Sequence, residues 1–357
     1  VYGGKAASQA YFNKEVSELS LAECAFLAGI TNNPARYNPL TSKGRANCYD
    51  RQIDILDKML ECGFITDEEY ITAIQEKLVI NDDYRQEVAV ASIYSYFVDA
   101  VLVDAREALV AAGYTNQEAK DLIYQGGVKI YTTQDPDIQK IVDEEYCNVA
   151  NFPVNHLYSD PDDMAQSSIV IMDQKTGYVA AMSGGRGPKE GRLTFNRATG
   201  SYRQPGSTFK VLAAYAPALD SAGLTLANVY NDAPFFYDDG KAVSNWYDET
   251  KYKGLCSIRY GIEQSLNIVA VKTLTQITPR LGYDYAENFG FKQLADGKEV
   301  NGQLFYDAKQ PLALGGITTG VSNEELTAAY ASIANGGIYT KPRLYKTVET
   351  SDGRILL

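Results

Sequence analysis

Histidine is almost absent: the 357 residues contain one, His156. A Ser-His-Asp triad and any multi-histidine metal site are therefore disfavoured, and His156 itself lies in a polar stretch that reads as a linker. Cysteine is sparse as well, with Cys24, Cys48, Cys62, Cys147 and Cys256 widely spread and no Cys-x-x-Cys pair. That excludes a dense disulfide framework and leaves no zinc signature. Basic runs are missing and the net charge is −12, which argues against nucleic acid as a partner, since phosphate binding draws on clustered Lys and Arg. No apolar run approaches the ~18–20 residues that span a bilayer, and there is neither a signal peptide nor a fixed-period repeat.

The remaining composition is that of a folded protein, with 45% hydrophobic and 22% charged residues, and the length suffices for two or three domains. Residues 1 to about 82 read as helices. Ser20 with Glu23 and Thr66 with Glu69 fit capping boxes, and Ala73, Ile74 and Leu78 supply an apolar stripe. Between them "TNNPARYNPLTS" is a loop by composition. Residues 90–125 continue helical, with Thr115 and Glu118 as a further box. "VKIYTT" reads as a strand, and "DPDIQKIVDEEY" as a helix opening on Asp135-Pro136. The polar segment 151–166 is the best boundary candidate. After it, "SSIVIMD" and "YVAAMSG" form a hairpin pattern around Gln174-Lys175-Thr176-Gly177. A helix is expected from about 207, a Tyr- and Asp-rich loop region over 230–253, and helices around 257–264 and 268–278. Ser322 and Glu325 box a last helix that stops at Gly336-Gly337. Strands and helices mix without regular βαβ alternation, so the fold class is α+β. The chain opens at Val1 in patterned sequence and stops in "DGRILL", which reads as a turn entering a strand. We therefore expect a piece of a longer protein, with any membrane anchor upstream.

With histidine unavailable, a serine nucleophile needs another base, and lysine is the natural substitute. In "RQPGSTFKVLAAY", Ser207 falls at a helix start and Lys210 follows at i+3, on the same face. The unpaired N–H groups and partial positive charge of a helix N-terminus favour an alkoxide and disfavour protonated lysine. Burial and nearby positive charge must supply the rest of the shift. Taken alone, Ser-x-x-Lys is more often an N-cap serine plus a surface lysine. A second element changes the balance. "EQSLNIVAV" places Ser265-Leu266-Asn267 between two helical stretches, offering a hydroxyl that can relay a proton and an amide that can hold a carbonyl. Its bland reading is a helix N-cap pair. Each motif occurs once in the chain, and in compatible order.

Together "RQPGSTFK" and "SLN" resemble the transpeptidase domain of class A, bifunctional penicillin-binding proteins. "DQKTGYVAAMSGG", "FNRAT", "QPLALGGITTGVSNEELTAAYASIANGG" and "YTKPRLYK" resemble further segments of that family in order. "YGGKAASQAYFNKEVSELSLAECAFLAGITNNPARYNPL" and "RQIDILDKMLECGFITDEEY" resemble the end of its glycosyltransferase domain. The resemblance implies a helical remnant of a lysozyme-like glycosyltransferase domain at 1–82, an inter-domain region at 83–165, and a transpeptidase domain of the penicillin-binding/β-lactamase type at 166–357. That last domain is expected to be an antiparallel sheet with helices, incomplete at its C-terminal end. It further implies Ser207 as nucleophile toward the penultimate D-Ala of a stem peptide, with Lys210 accepting its proton. Ser265 would relay a proton to the leaving amine, and Asn267 would position the substrate amide and Lys210. No metal or organic cofactor is implied. The expected partners are peptidoglycan stem peptides, β-lactams and, for the parent, the lipid-linked glycan precursor, at the extracytoplasmic face of a bacterial membrane. The glycosyltransferase glutamates would precede Val1, and the third transpeptidase motif would follow Leu357, so these 357 residues alone are expected to be inactive. Lys175-Thr176-Gly177 matches that third motif in letters but precedes Ser207, so a turn is expected there. Two rivals remain open. A D,D-carboxypeptidase or β-lactamase lacks a segment like 1–82, and a non-catalytic wall-binding or sensor module would not need Ser207, Lys210, Ser265 and Asn267 together.

Overall fold

The computed structural model describes residues 4–31, 36–39, 41–81, 93–152, 165–248 and 250–357. His156, parts of the "TNNPARYNPLTS" loop and most of the boundary segments lie outside the described residues. The chain divides into two compact units, Val1–Ile93 and Tyr94–Leu357.

The first unit is helical: α1 (Gly4–Phe12), α2 (Leu21–Ile30), α3 (Ser42–Glu61) and α4 (Asp67–Gln75). Its start signals work as the sequence suggests. The Ser20 hydroxyl accepts from Glu23 N–H, and the Glu23 carboxylate accepts from Ser20 N–H, so two orphan donors are satisfied reciprocally. Thr66 and Glu69 do the same for α4. Glu23 also holds Lys14 at 2.8 Å. The core gathers Ala22 and Phe26 of α2 against Cys48 and Leu56 of α3, with Ala73 and Leu78 from the α4 region. Ile74 departs from the expected stripe and is 44% exposed, because α4 ends at Gln75 and Leu78 reaches the core from non-helical chain.

The second unit begins with α5 (Tyr96–Ala111), α6 (Asn116–Tyr124), β1 (Lys129–Thr132) and α7 (Pro136–Cys147). Asp135 caps α7 by accepting from Asp137 and Ile138 N–H, with Pro136 at the first turn where no donor is needed. The antiparallel hairpin β2 (Ile169–Met172) and β3 (Val179–Ser183) follows. Beyond it lie α8 (Arg197–Gly200), α9 (Ala216–Asp220), β4 (Val229–Asp232), β5 (Gly254–Ser257), α10 (Ile258–Glu263), α11 (Asn267–Ile277) and α12 (Pro279–Asn288). The unit closes with β6 (Asp296–Val300), β7 (Gln303–Tyr306), α13 (Asn323–Ala334) and β8 (Tyr345–Glu349). Among the described residues the strands pair two by two, all antiparallel: β1 with β8, β2 with β3, β4 with β5 and β6 with β7. Strand β8 carries no signal that singles it out in the sequence. The terminal "DGRILL" is a turn with one isolated bridge, Glu349 to Ile355, rather than a further strand.

Two apolar clusters of the second unit anchor the segments that bear Ser207 and Ser265. Phe209, Leu212, Ile268, Val271 and Leu274 share one of them with Leu312 and Ile317. Tyr215, Ile258, Leu266 and Val269 form the other. Each fully buried Leu, Ile or Phe contributes roughly 1.5–3 kcal/mol relative to exposure. Phe209 and Leu266 lie within two positions of the two serines, so that burial holds their backbone directly.

Candidate active site

Ser207 lies at the start of a helical run, as the sequence suggested, and that first turn is 3₁₀, Gly206–Thr208. The chain continues as a π-helical turn, Val211–Tyr215, and only then as α9. The tighter turn still brings residues three apart to the same side, so the pairing of Ser207 with Lys210 survives the change of helix type. Gly206 takes a positive φ of +59°, a conformation that glycine adopts without penalty. Phe209, between the two polar residues, is fully buried against Phe291 at 5.0 Å between ring centroids. The Ser207 side chain is exposed, and among the described residues its hydroxyl has no hydrogen-bond partner.

The turn is clamped from a second segment. Arg203 exchanges both backbone hydrogen bonds with Val321, at 3.0 and 2.9 Å. Gln204 donates to the Ile317 carbonyl at 3.2 Å, and the Tyr330 hydroxyl donates to the Thr208 carbonyl. Gly315 has φ +75°, and a Cβ there would sit 2.6 Å from the Gly206 N and O. The run 310–321 therefore fixes the backbone around Ser207.

Lys210 is 2% exposed. Its ammonium donates to the Ser265 carbonyl at 2.7 Å and to the Ser265 Oγ at 2.9 Å. Among the described residues no carboxylate lies within ion-pair distance of it. Burial alone brings the Lys210 pKa down to about 8 from 10.5, since low dielectric disfavours the charged form. A sizeable neutral fraction at physiological pH makes this amine a usable base.

Ser265 and Asn267 sit at the joint between α10 and α11. The Ser265 backbone is left-handed, φ +51°, which for a non-glycine residue costs of order 1 kcal/mol or more. It lets the chain turn sharply, with Leu266 N–H donating to the Gly261 carbonyl at 2.9 Å, and it turns both oxygens of Ser265 toward Lys210. Gly261 has to be small, because a Cβ would meet Val269 at 2.6 Å. Asn267 starts α11, and its Nδ2 donates to the Ser244 carbonyl at 2.7 Å. Among the described residues no hydrogen bond joins Asn267 to Lys210. The Lys210 ammonium donates to Ser265, and the Asn267 Nδ2 donates to Ser244 instead.

The structure thus brings Lys210 and Ser265 into direct contact, keeps Ser207 one turn away and leaves Asn267 at the same joint. Sequence reasoning missed the residues behind that joint. Asn245 Oδ1 accepts from Asn267 N–H at 2.8 Å and from Ile268 N–H at 3.3 Å, while Trp246 Nε1 donates to the Gln264 carbonyl at 2.9 Å. Their only signal was membership of the Tyr- and Asp-rich stretch that reads as loop.

Lys175-Thr176-Gly177 is confirmed as a turn. Asp173 Oδ1 accepts from the N–H groups of Lys175 at 2.8 Å and Thr176 at 2.9 Å, which holds the Asp173 carboxyl below its usual range. Gly177 has φ +76°, and a Cβ would lie 2.6 Å from the Lys341 carbonyl oxygen. Lys175 is exposed. Among the described residues no group of three or more His, Cys, Asp or Glu is arranged to hold a metal ion, and no helix is long and apolar enough to cross a membrane.

Residues 167–354 match the penicillin binding protein transpeptidase domain family, and residues 1–60 match the transglycosylase family. The chain is 31% identical to penicillin-binding protein 1A of Clostridium acetobutylicum, over 99% of this chain and 44% of that protein. It is 30% identical to penicillin-binding protein 4 of Bacillus subtilis, over 100% of this chain and 55% of that protein. It therefore spans about half the length of these relatives. A crystal structure of penicillin-binding protein 1A from Haemophilus influenzae shares the fold across the whole chain and 62% of its own, with a TM-score of 0.67 at 23% identity. The PonA1 protein of Mycobacterium tuberculosis in complex with penicillin V aligns over 73% of this chain and 64% of its own, with a TM-score of 0.57 at 24% identity. With a transpeptidase match over more than half its length and a transglycosylase match ahead of it, the chain belongs to the class A, bifunctional penicillin-binding proteins.

Proposed function

We propose that the protein crosslinks peptidoglycan stem peptides through an acyl-enzyme on Ser207, and that β-lactams acylate the same residue. The observation that carries this reading is the buried Lys210, one turn from an exposed Ser207 and bonded to both oxygens of Ser265. Neutral Lys210 takes the Ser207 proton as Oγ attacks the carbonyl of the penultimate D-Ala. The tetrahedral intermediate collapses, the C–N bond to terminal D-Ala breaks, and the departing amine takes a proton relayed from Lys210 through the Ser265 hydroxyl. An amine of a neighbouring stem peptide then attacks the ester, loses its proton by the reverse path and frees Ser207. Asn267 lies at the same joint, where its Oδ1, without a hydrogen-bond partner among the described residues, accepts from a substrate amide.

On the same reading, residues 1–82 are the C-terminal part of a glycosyltransferase domain that polymerises a lipid-linked glycan precursor. Residues 83–165 join it to the transpeptidase domain at 166–357, and the protein works at the extracytoplasmic face of a bacterial membrane. The test is labelling of the full-length protein with a fluorescent penicillin beside its Ser207→Ala variant. A covalent label present in the first and absent in the second is expected. A label that persists without Ser207 removes Ser207 as the nucleophile, and none in either favours a non-catalytic wall-binding module.

A further inference from the structure

Helix α11 has no cap of its own. Leu266 occupies the N-cap position and offers no side-chain acceptor, although the first N–H groups of a helix need partners. The missing acceptor comes from the loop between β4 and β5. Asn245 Oδ1 takes the N–H groups of Asn267 and Ile268, at 2.8 and 3.3 Å. Its Nδ2 donates in the opposite direction, to Asp232 Oδ1 at 2.8 Å and to the Tyr247 hydroxyl at 2.6 Å. Asp232 is fully buried; its Oδ2 accepts from Lys253 N–H at 2.8 Å and from the Tyr247 hydroxyl. Donors thus face one end of the Asn245 amide and a carboxylate the other, so only one orientation of the amide satisfies both.

We propose that Asn245, oriented by Asp232, is a positioning residue that fixes the start of α11 and so holds Ser265 in place against Lys210. This rests on the functional reading above and extends it to residues that touch no substrate. The strained Ser265 backbone, φ +51°, is the part that needs such support: it lies two residues before the capped N–H of Asn267, and relaxation would carry its carbonyl and hydroxyl away from the amine. At 245, alanine satisfies neither side, and aspartate sets a second carboxylate against buried Asp232.

The polarity of the pair can be reversed, which gives the test. Asn245→Asp alone should lower the acylation rate constant of the full-length protein for a fluorescent penicillin by about tenfold to a hundredfold, since small misplacements near a reacting centre cost that much. The dissociation constant of the initial complex should stay within about threefold. In Asn245→Asp/Asp232→Asn, the carboxylate at 245 still accepts from Asn267 and Ile268, and the amide at 232 donates to it. This double variant should recover to within about fivefold of wild type. A single variant that acylates like wild type, or a double variant as slow as the single, overturns the proposal. Thermal unfolding reads the pair without reference to catalysis: the midpoint should fall in the single variant and return in the double, and equal midpoints in the two variants overturn the pairing. Persistence of the label in Ser207→Ala is a separate outcome that strikes the functional reading, while the unfolding comparison still decides the pair.

Discussion

The acylation rate should follow the titration of Lys210, and burial sets where. Its pKa of about 8 leaves roughly a tenth of the amine neutral at pH 7 and about nine-tenths at pH 9. The second-order rate of acylation should therefore climb about tenfold between pH 7 and pH 9 and level off above that. A solvated lysine at 10.5 behaves differently: its neutral fraction rises about a hundredfold over the same interval and is still climbing at pH 10. The difference is built into the structure, because Lys210 is 2% exposed and bonds two uncharged oxygens instead of a carboxylate. The assay is stopped-time labelling of the full-length protein with sub-saturating fluorescent penicillin from pH 6 to 10, corrected for Ser207→Ala at each pH. A rise of about a hundredfold between pH 7 and pH 9 that is still climbing at pH 10 would refute burial as the source of the base. A flat profile from pH 6 to 9 would refute Lys210 as the base at all.

The same shift couples to folding. The folded pKa lies below the unfolded one, so the folded state loses its proton first, and stability rises with pH across the window from about 8 to 10.5. Measured against Lys210→Met, wild type should gain roughly 3 kcal/mol across that window in denaturant titrations; an unchanging gap contradicts it. Gly315→Ala places a methyl 2.6 Å from the Gly206 backbone at a positive φ, and should cost roughly 1–3 kcal/mol in unfolding and at least about tenfold in acylation. Wild-type acylation in that variant would show that the clamp on the Ser207 turn is dispensable. Lys175→Ala changes an exposed hairpin residue, so its acylation rate should stay within about twofold of wild type; a large loss would return the tripeptide to the active site.

What could be read from the sequence was local. Capping boxes at Ser20, Thr66, Thr115 and Ser322 announce their helices because the reciprocal bonds join residues three apart. The hairpin around Gly177 was legible for the same reason. Ser207, Lys210, Ser265 and Asn267 were legible as motifs, but their connections were not. The Ser207 turn closes as 3₁₀ and then π, and the 310–321 run that clamps it arrives from more than a hundred residues later in the chain. Strand β8 escaped notice since its partner β1 lies more than two hundred residues earlier. Asn245 looked like loop composition, and only the fold shows that it caps a helix starting 22 residues later.

If Ser207 carries the acyl group, peptide mapping will find it there. The full-length protein is incubated with a β-lactam, digested and analysed by mass spectrometry. One covalent adduct with the mass of the intact β-lactam is expected, localised by fragmentation to Ser207 within "RQPGSTFK". An adduct localised to any other residue, or an unmodified Ser207 peptide after saturating exposure, would contradict it.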